Sequence, residues 1–297
     1  MSDRSDGLRA GVIFGFLGML GFSGTLVATR LAIADFSPLE ITCARIAMAG
    51  ALGAAALFAA GRTALPTRHQ LRGILAAGLG LAVGYPFFLA LALQSVPAIH
   101  GAMATGLAPA VTAILAVLRA GERPPALFWL GCAVGFCAVF YYAFDAGGGR
   151  LHVADLWLLC ALAAMGFAYV EGGKVSAELG GANTLSWAMV LLTPGAIAIL
   201  VFQAPDAGWE TAGVSSWAAL AYLGIISMFL ASVFWYRGLA MGGIARIGQI
   251  NLLMPIVSIA LAALILGEEI TTPAIITAFV VFAAMLLCLR SRVRRAA

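Results

Sequence analysis

Residues 87–123 read FFLALALQSVPAIHGAMATGLAPAVTAILAVLRAGER, and residues 233–269 read VFWYRGLAMGGIARIGQINLLMPIVSIALAALILGEE. Aligned at a constant offset of 146 without gaps, the two stretches are identical at ten of 37 positions. A chance match between two apolar segments rich in Ala and Leu is the alternative to a true repeat. The coincidence of special residues favours the repeat. The matched pairs include Pro109 with Pro255 and Gly121-Glu122 with Gly267-Glu268.

The 297-residue chain around these stretches is strongly apolar. Of its residues 63% are hydrophobic and 10% are charged, and the mean hydropathy is +1.02. Soluble domains carry roughly 25% charged and 45–50% apolar residues. A water-soluble protein of this size could not bury so much apolar surface, and intrinsic disorder requires the opposite composition. The composition therefore indicates an integral membrane protein and excludes a cytosolic globular fold.

Ten apolar runs approach the length of about 20 residues that a membrane-spanning helix needs. The connections between the runs are short and rich in Gly and Pro, so none could hold a soluble domain. We expect the first run to be an uncleaved anchor, because no convincing cleavage site precedes or ends it. The predicted spans are residues 9–30, 38–60, 71–93, 97–118, 126–144, 153–174, 183–203, 214–236, 244–266 and 273–290.

The repeat divides the chain into two five-helix halves, residues 1–148 and 149–297, within one integrated membrane domain. Because five is odd, the second half must enter the membrane upside down relative to the first. Inverted repeats are typical of secondary transporters, whose substrate site lies near the bilayer midplane between the halves. The predicted fold is an all-α polytopic membrane protein of ten transmembrane helices in two inverted repeats.

The basic residues indicate the orientation, because cytoplasmic loops are enriched in Lys and Arg. With a cytoplasmic N-terminus, fourteen of the seventeen basic residues fall at the inner ends of the spans. Arg30 and Arg150 lie at outer ends, and Arg45 lies inside the second span. Both termini are therefore expected in the cytoplasm. The net charge is only +4, and the basic residues lie at the ends of apolar segments, as the topology explains. We therefore expect no nucleic-acid partner.

Several signatures of enzymes and metal sites are absent from the sequence. It contains no GxxxxGK[ST], HExxH, CxxC or GxSxG motif and no pair of intramembrane carboxylates. We therefore expect no catalytic site, no cofactor and no bound metal. The cysteines lie in apolar runs without metal-ligand spacing, which predicts buried thiols rather than disulfides or a zinc site. They are Cys43, Cys132, Cys137, Cys160 and Cys288.

A set of short motifs recurs in order along the chain: Pro38 and Arg45, then Pro109 with Gly121-Glu122, then Pro255 with Gly267-Glu268. With the ten-helix plan in two halves, these residues resemble the drug/metabolite transporter superfamily, in its EamA-type branch. Within it the chain looks most similar to bacterial exporters of amino acids, including aromatic ones. The resemblance implies a multi-pass protein of the bacterial inner membrane that functions as a monomer.

Prolines inside the spans predict helix kinks, because proline lacks a backbone donor and leaves the carbonyl four residues earlier unpaired. Pro109 would free the carbonyl of Thr105, and Pro255 would free that of Asn251. Unpaired backbone in a membrane is tolerated only against protein or a wet cavity. These kinks either face a central cavity or simply bend the helices. Pro86 is a third candidate kink.

Charged residues inside the spans are costly and are candidates for function. Arg45 is expected to join an ion-pair cluster on the outer face, and substrate contact is the alternative. Glu171 either forms a solvated pair with Lys174, one helical turn later, or binds a substrate ammonium or a proton. The expected partners of Arg45 are Glu40, Arg30 and Asp35.

Uncharged polar and aromatic side chains in the spans could bind a zwitterion. His100 is the only histidine in a span and could titrate near neutral pH, with a satisfied interface histidine as the alternative. Aromatic residues often form interfacial belts instead of sites. The candidate substrate-binding residues are Tyr85, His100, Thr105, Tyr169, Glu171, Trp235, Gln249 and Asn251.

Together these features predict a secondary transporter that exports small metabolites from the cytoplasm by alternating access. Few fixed charges and several aromatics favour amino acids with apolar or aromatic side chains as cargo. A multidrug or nucleotide-sugar transporter of the same fold is the alternative, although no deep Lys/Arg cluster is available for phosphates. An intramembrane lipid-modifying enzyme is a remote alternative. The expected partners are the small-molecule substrate and the lipid bilayer.

Overall fold

The computed structural model describes most of the chain. At some positions, among them Pro109 and Gln249, only the backbone is described. The sequence features that involve Gly121, Arg246 or Arg292 lie outside the described part. The described residues are 2–120, 122–123, 125–203, 208–242, 247–290 and 294–295.

The described chain is helical except for one short strand pairing. Its first elements are α1 (Ser2–Ser23), α2 (Thr25–Ala32), α3 (Pro38–Ala59), α4 (Arg68–Gly78), the π-helix π1 (Leu79–Gly84), α5 (Tyr85–Leu93), α6 (Ala98–Thr105), α7 (Ala108–Ala120), β1 (Glu122–Arg123) and α8 (Ala126–Ala146). There follow α9 (Val153–Leu179), α10 (Gly181–Phe202), α11 (Gly208–Thr211), α12 (Val214–Ala221), the π-helix π2 (Tyr222–Leu230), α13 (Ala231–Gly242), the 3-10 helix η1 (Gly248–Leu253), α14 (Met254–Leu266), α15 (Thr272–Arg290) and β2 (Arg294–Arg295). The strands β1 and β2 pair antiparallel, with Glu122 opposite Arg295.

Seven helical stretches of the described chain are long and apolar enough to cross a membrane. They coincide with seven predicted spans. The predicted span at 97–118 corresponds to a pair of helices, Ala98–Thr105 and Ala110–Arg119, bent by 43°. The last two correspond to shorter apolar helices, Ile250–Leu266 and Thr272–Cys288. The protein is thus a polytopic helical membrane protein, and the plan of ten spans in inverted halves stays a prediction. The seven stretches are Arg9–Ala32, Pro38–Ala59, Arg68–Leu93, Ala126–Ala146, Val153–Leu179, Gly181–Phe202 and Val214–Met241.

Helices from the two predicted halves pack directly against each other. α3 packs on α10, α1 on α13, α8 on α15, and α4, α5 and α7 on α9. The α1–α13 contact is backbone to backbone, because a Cβ built on Gly238 would lie 2.6 Å from the backbone nitrogen of Gly15. Small residues permit such approaches in membranes, where dispersion contacts must hold helices together.

Two of the long membrane helices contain a π-helical stretch. In the span Arg68–Leu93, π1 ends where the N–H of Tyr85 donates to the carbonyl of Gly80, five residues back. In the span Val214–Met241, the N–H of Ala231 donates in the same way to Ile226. The 146-residue offset of the sequence repeat carries residues 79–84 onto residues 225–230, inside π2. Hydrogen bonds between residues five apart therefore occur at corresponding positions of the two halves. Such π-bulges are frequent at functional sites.

The first span is interrupted at Gly24, between α1 and α2, and side chains from far along the chain complete its hydrogen bonds. Tyr222 donates its hydroxyl to the carbonyl of Gly21 (2.9 Å), and Ser258 donates to the carbonyl of Ser23 (2.9 Å). The hydroxyls of Thr25 and Ser227 also share a hydrogen bond of 2.7 Å. The interruption is therefore satisfied by the second half of the chain.

The five cysteines form no disulfide in the described structure, and not all of them are buried. Cys43, Cys132 and Cys288 are buried, and the sulfurs of the last two lie 3.8 Å apart. Cys160 is partly buried. The prediction of burial is wrong for Cys137, which is exposed on α8 beside apolar residues of the outer surface. An apolar thiol on a lipid-facing helix carries no desolvation cost, so composition alone could not place it.

Candidate functional site

A cavity of about 130 Å³ lies between helices of both halves. The α4–π1 region of the first half forms one wall, and α9, α10 and α13 of the second half form the others. None of the lining residues is charged, and the polar groups come from two tyrosines and two hydroxyl residues. The cavity lies where helices of the two predicted halves meet, and its use as the transport site stays a prediction. Its tyrosines and hydroxyl residues are Tyr169, Tyr236, Ser176 and Thr184.

The space exists because small residues line it. Gly172 on α9 packs against Ala77 on α4 so closely that an added Cβ would lie 3.0 Å from the alanine Cβ. Next to it, a Cβ on Gly173 would meet nothing within 4 Å. The helices therefore touch at one glycine and open at the next. These two glycines were not among the predicted site residues, although a Gly-Gly pair inside a predicted apolar span indicates a local gap in side-chain packing.

Two tyrosines line this cavity, Tyr169 from α9 and Tyr236 from α13. Tyr169 lies inside α9, ten residues before the helix ends on the cytoplasmic side of the predicted topology. It is nevertheless 49% exposed. The ring of Tyr236 packs over Gly181, where an added Cβ would lie 2.2 Å from a ring carbon. Glycine at the start of α10 therefore makes room for this ring. Tyr169 was among the predicted site residues, and Tyr236 directly follows the predicted site residue Trp235 in the sequence.

The remaining aromatic candidates lie beside the cavity. Tyr85, at the start of α5, packs against two apolar clusters. Trp235 makes an edge-to-face contact with Phe22, with ring centroids 6.4 Å apart. The backbone of Trp235 lies against Gly18 on α1. Tyr85 thus belongs to the apolar packing outside the cavity lining, and Trp235 belongs to the α1–α13 contact.

Neither Thr105 nor Asn251 lines this cavity. Thr105 is buried and donates its hydroxyl to the carbonyl of Ala102 (2.7 Å). Asn251 lies in η1, and its side-chain oxygen is buried without a hydrogen-bond partner in the described structure. Gln249 lies in the same 3-10 helix, and its side chain is outside the described part. Thr105 and Asn251 correspond in the sequence repeat, so both stay candidates for substrate contact in another conformation of the transporter.

Two titratable candidates are engaged in ion pairs or hydrogen bonds. His100 is 3% exposed, and its Nε2 lies 2.7 Å from the carboxylate of Asp155 at the start of α9. Glu171 accepts hydrogen bonds from Lys174, at 3.2 Å, and from Arg119 on α7. Each arrangement corresponds to the structural alternative that the sequence left open. Neither side chain lines the cavity.

Each predicted kink proline is the second residue of a helix. Pro86 follows π1, and Pro255 follows η1. Pro109 is the second residue of α7, after the bend of 43°. A proline in the first turn of an α-helix leaves the hydrogen bonds of the later turns intact, so the α-helix can continue after it. The non-α stretches before the prolines were not predicted, because a π-helix or 3-10 turn leaves no fixed sequence signal.

The ion-pair cluster expected around Arg45 does not form in the described structure. Glu40 instead closes a capping box with Ser37, accepting from its N–H at 2.7 Å, and also accepts the indole N–H of Trp209. Arg30 donates to the carbonyl of Leu93. Arg45 is 4% exposed, and its Nε and Nη1 have no hydrogen-bond partner in the described structure.

Asp35, the third expected partner of Arg45, binds the loop at Gly213 instead. The side chain of Ser216 and the backbone N–H of Gly213, at 2.9 Å, hydrogen-bond its carboxylate and hold its pKa below the ordinary value. Ser37 and Glu40 form an S-x-x-E pattern, which is the sequence signature of a capping box. That pattern could have shown in advance that Glu40 was committed to a helix end.

The end of the bundle that is outer in the predicted topology carries a contact between halves that the sequence did not assign. The two carboxylate oxygens of Glu268 accept the backbone N–H groups of Ala98 (2.7 Å) and Ile99 (2.8 Å) at the start of α6. The first N–H groups of a helix lack helical partners and attract anions. Glu268 was noted only as part of the repeated Gly-Glu motif.

A larger groove of about 490 Å³ lies on the outside of α8 and α15. Its lining is apolar except for Thr277 and the ring of Tyr141. Exposed Phe136, Phe140 and Phe144 continue the same face of α8. The groove fits contact with lipid acyl chains and has no polar group directed at a solute.

Comparison with known proteins adds three findings. The chain matches the EamA-like transporter family over residues 9–144 and 152–290, on either side of the predicted boundary between the halves. It is 43% identical over 260 residues to the uncharacterized transporter YdeK of Bacillus subtilis, covering 88% of this chain and 90% of that protein. It is 25% identical over 258 residues to the aromatic amino acid exporter YddG of Ancylobacter novellus, covering 81% and 85%.

The crystal structure of another protein has a similar fold. The TM-score is 0.64 at 20% sequence identity, and the match covers 94% of this chain and 96% of that one. At this identity the match speaks for the fold alone.

Proposed function

The chain belongs to the EamA-like transporter family, and we propose that it exports amino acids with neutral or aromatic side chains. The family and the transporter YdeK, at 43% identity, indicate transport rather than enzyme chemistry. The choice of cargo goes further than the family. It rests on the cavity, and the name of the more distant relative, an aromatic amino acid exporter, agrees with it.

The observation that carries the proposal is the chemistry of the cavity wall. Its lining offers two phenol rings, two hydroxyl residues and small apolar side chains, and no fixed charge. Aromatic rings attract apolar side chains and, through their faces, an ammonium group. A phosphorylated cargo would need a cluster of Arg or Lys side chains to neutralise its charge. The wall therefore suits a small zwitterion better than a nucleotide sugar.

The size of the cavity supports alternating access. Ligand pockets usually measure about 300–1,000 Å³, whereas this cavity measures about 130 Å³. In this conformation it could hold only part of an aromatic amino acid. The helices around it must separate to admit the whole cargo, and the interrupted and π-helical spans are places where they could bend.

The topology is part of the same proposal. The apolar runs support ten spans, and the division of basic residues supports cytoplasmic termini. The resemblance to bacterial exporters supports the inner membrane of a bacterium as the location. A monomer suffices, because the cavity is built within one chain. A reporter that is active only in the cytoplasm, fused after Arg295, should be active. A silent fusion would contradict an even number of spans.

Counterflow in proteoliposomes tests the cargo. Purified protein is reconstituted into vesicles loaded with unlabelled tryptophan, and uptake of external labelled tryptophan is followed over time. We expect transient accumulation that neutral and aromatic amino acids suppress and sugar phosphates do not. Vesicles without protein are the control. If only phosphates or quaternary-ammonium drugs compete, the amino-acid proposal is wrong.

The matched variants Tyr169→Phe and Tyr141→Phe link counterflow to this cavity. Both remove one phenol hydroxyl, but Tyr141 lies on the outer groove and Tyr169 lies in the cavity wall. We expect the affinity for tryptophan to fall only in Tyr169→Phe. Equal behaviour of the two variants would place the transport site elsewhere.

A further inference from the structure

Arg45 is a buried cation without a countercharge in the described structure. It lies on α3, seven residues from the helix start, and is 4% exposed. Its Nε and Nη1 carry three of the five N–H donors of the guanidinium, and neither atom has a hydrogen-bond partner. A charged group inside a membrane protein is expensive and normally pairs with another group. A guanidinium with three unpaired donors at this depth therefore calls for a partner that the described side chains do not supply.

The nearby carboxylates are committed to other contacts. Glu40 caps α3 and binds Trp209, and Asp35 binds the loop at Gly213. The salt bridges formed among the described residues involve Asp155 and Glu171 only, and Arg45 takes part in none of them. The missing anion is therefore more simply supplied from outside the chain than by a side-chain rearrangement.

Shared packing places Arg45 close to the cavity. Ile46, next to Arg45 on α3, lies in one buried cluster with Met189, which lines the cavity. The helix α3 also packs on α5, which begins at Tyr85, and α5 packs on α9. Tyr169 on α9 and Tyr236 on α13 both line the cavity. The sequence order of these residues along their helices puts Arg45 nearest the predicted outer side and Tyr236 nearest the cytoplasm.

We propose that Arg45 is the carboxylate-binding residue of the transport site, which a cargo reaches through the cavity lined by Tyr169 and Tyr236. This inference rests on the proposed function and names the chemical group that the site selects. Guanidinium and carboxylate match in geometry and charge, so one arginine suits one carboxylate. The side chain of the cargo would then lie among the tyrosines. Amines without a carboxylate would leave the buried charge unpaired and are rejected.

The experiment compares tryptophan with tryptophanamide, which differs in lacking the carboxylate charge. Inhibition constants for both are measured against labelled tryptophan counterflow in wild-type protein and in the variants Arg45→Gln and Arg45→Lys. We expect Arg45→Gln to weaken tryptophan about ten- to a hundredfold, the range for a lost hydrogen bond between charged groups, and to leave tryptophanamide unchanged. Arg45→Lys should recover part of the loss.

Arg30→Gln is the matched control. Arg30 lies on α2 and donates to the carbonyl of Leu93, so its loss removes a structural hydrogen bond and no ligand contact. We expect it to shift tryptophan and tryptophanamide equally. An equal shift of both ligands in Arg45→Gln would show that Arg45 is only structural and would overturn the inference.

A measurement on the wild-type protein keeps the test independent of variant folding. A ligand that binds the folded state raises the melting temperature in detergent by mass action. Tryptophan should raise it and equal concentrations of tryptophanamide should not. If neither or both do so, and a panel of other carboxylates shows no advantage over their amides, the inference fails. If other carboxylates stabilise and tryptophan shows no counterflow, the amino-acid cargo fails while the role of Arg45 stands.

Discussion

The contact between α1 and α13 predicts the effect of a single methyl group. A Cβ on Gly238 would lie 2.6 Å from the backbone nitrogen of Gly15, 2.9 Å from its Cα and 3.0 Å from the carbonyl oxygen of Gly11. Carbon contacts are optimal at about 3.5–4.0 Å, so Gly238→Ala must push the two backbones apart by about 1 Å. Backbone atoms cannot rotate away as a flexible side chain could.

The cost can be estimated from overpacking. Inserting a methyl group into a tight contact costs about 1–3 kcal/mol, and the better helix propensity of alanine returns at most about 1 kcal/mol. The net loss of about 1–2 kcal/mol corresponds to a decrease of roughly 2–8 °C in melting temperature for a chain of this size. We expect this decrease in thermal unfolding of the purified variant in detergent.

Gly195→Ala is the control for this prediction. Gly195 is also in the interior of a helix, α10, but an added Cβ there meets nothing within 4 Å. Its melting temperature should equal or slightly exceed that of the wild type. If Gly238→Ala melts at or above the wild type, the backbones of α1 and α13 are not in the contact described, and the reasoning is refuted.

Three further outcomes follow from other contacts. Gly181→Ala should displace the ring of Tyr236, because the new Cβ would lie 2.2 Å from a ring carbon. We expect the KM for tryptophan counterflow to rise severalfold. An unchanged KM would show that Tyr236 is not part of the transport site. Glu268→Gln should weaken the cap on Ala98 and Ile99 by about 0.3–1 kcal/mol, seen as a lower melting temperature, and a melting temperature equal to the wild type would contradict the charged cap. The pKa of Asp35 is lowered on folding, so its stabilising effect is present above the ordinary carboxyl pKa and is lost as the pH falls through the lowered value. Asp35→Asn should therefore flatten the acid side of the stability profile, and an acid profile identical to that of the wild type would contradict this assignment.

The positions of the membrane helices could be read from the sequence because they depend on length and composition. An apolar run of about 20 residues has few alternatives to a spanning helix. The bend before α7 was also foreseeable, since Pro109 cannot donate a backbone hydrogen bond. The π-helices were not foreseeable, because the choice between four- and five-residue hydrogen bonds depends on tertiary packing against α9 and α3.

The candidate site could be predicted only in part, because sequence gives the residue type and the helix but not the face that packs inward. Tyr169 was selected and lines the cavity, whereas Thr105 was selected and bonds its own helix. Arg45 was assigned an ion-pair cluster because three opposite or like charges lie near it in sequence. Two of these residues had better partners at helix ends and loops, so proximity along the chain was misleading.

The interruption at Gly24 has a consequence for the order in which the protein matures. The carbonyls of Gly21 and Ser23 receive their donors from Tyr222 and Ser258, which lie 201 and 235 residues later in the chain. At about 5–20 residues synthesised per second, these donors are made roughly 10–50 s after the first helix. During that interval the nascent first span must satisfy these carbonyls with water or its own backbone. The hydrogen bonds at the interruption of the first membrane helix are thus completed only after most of the second half has been translated.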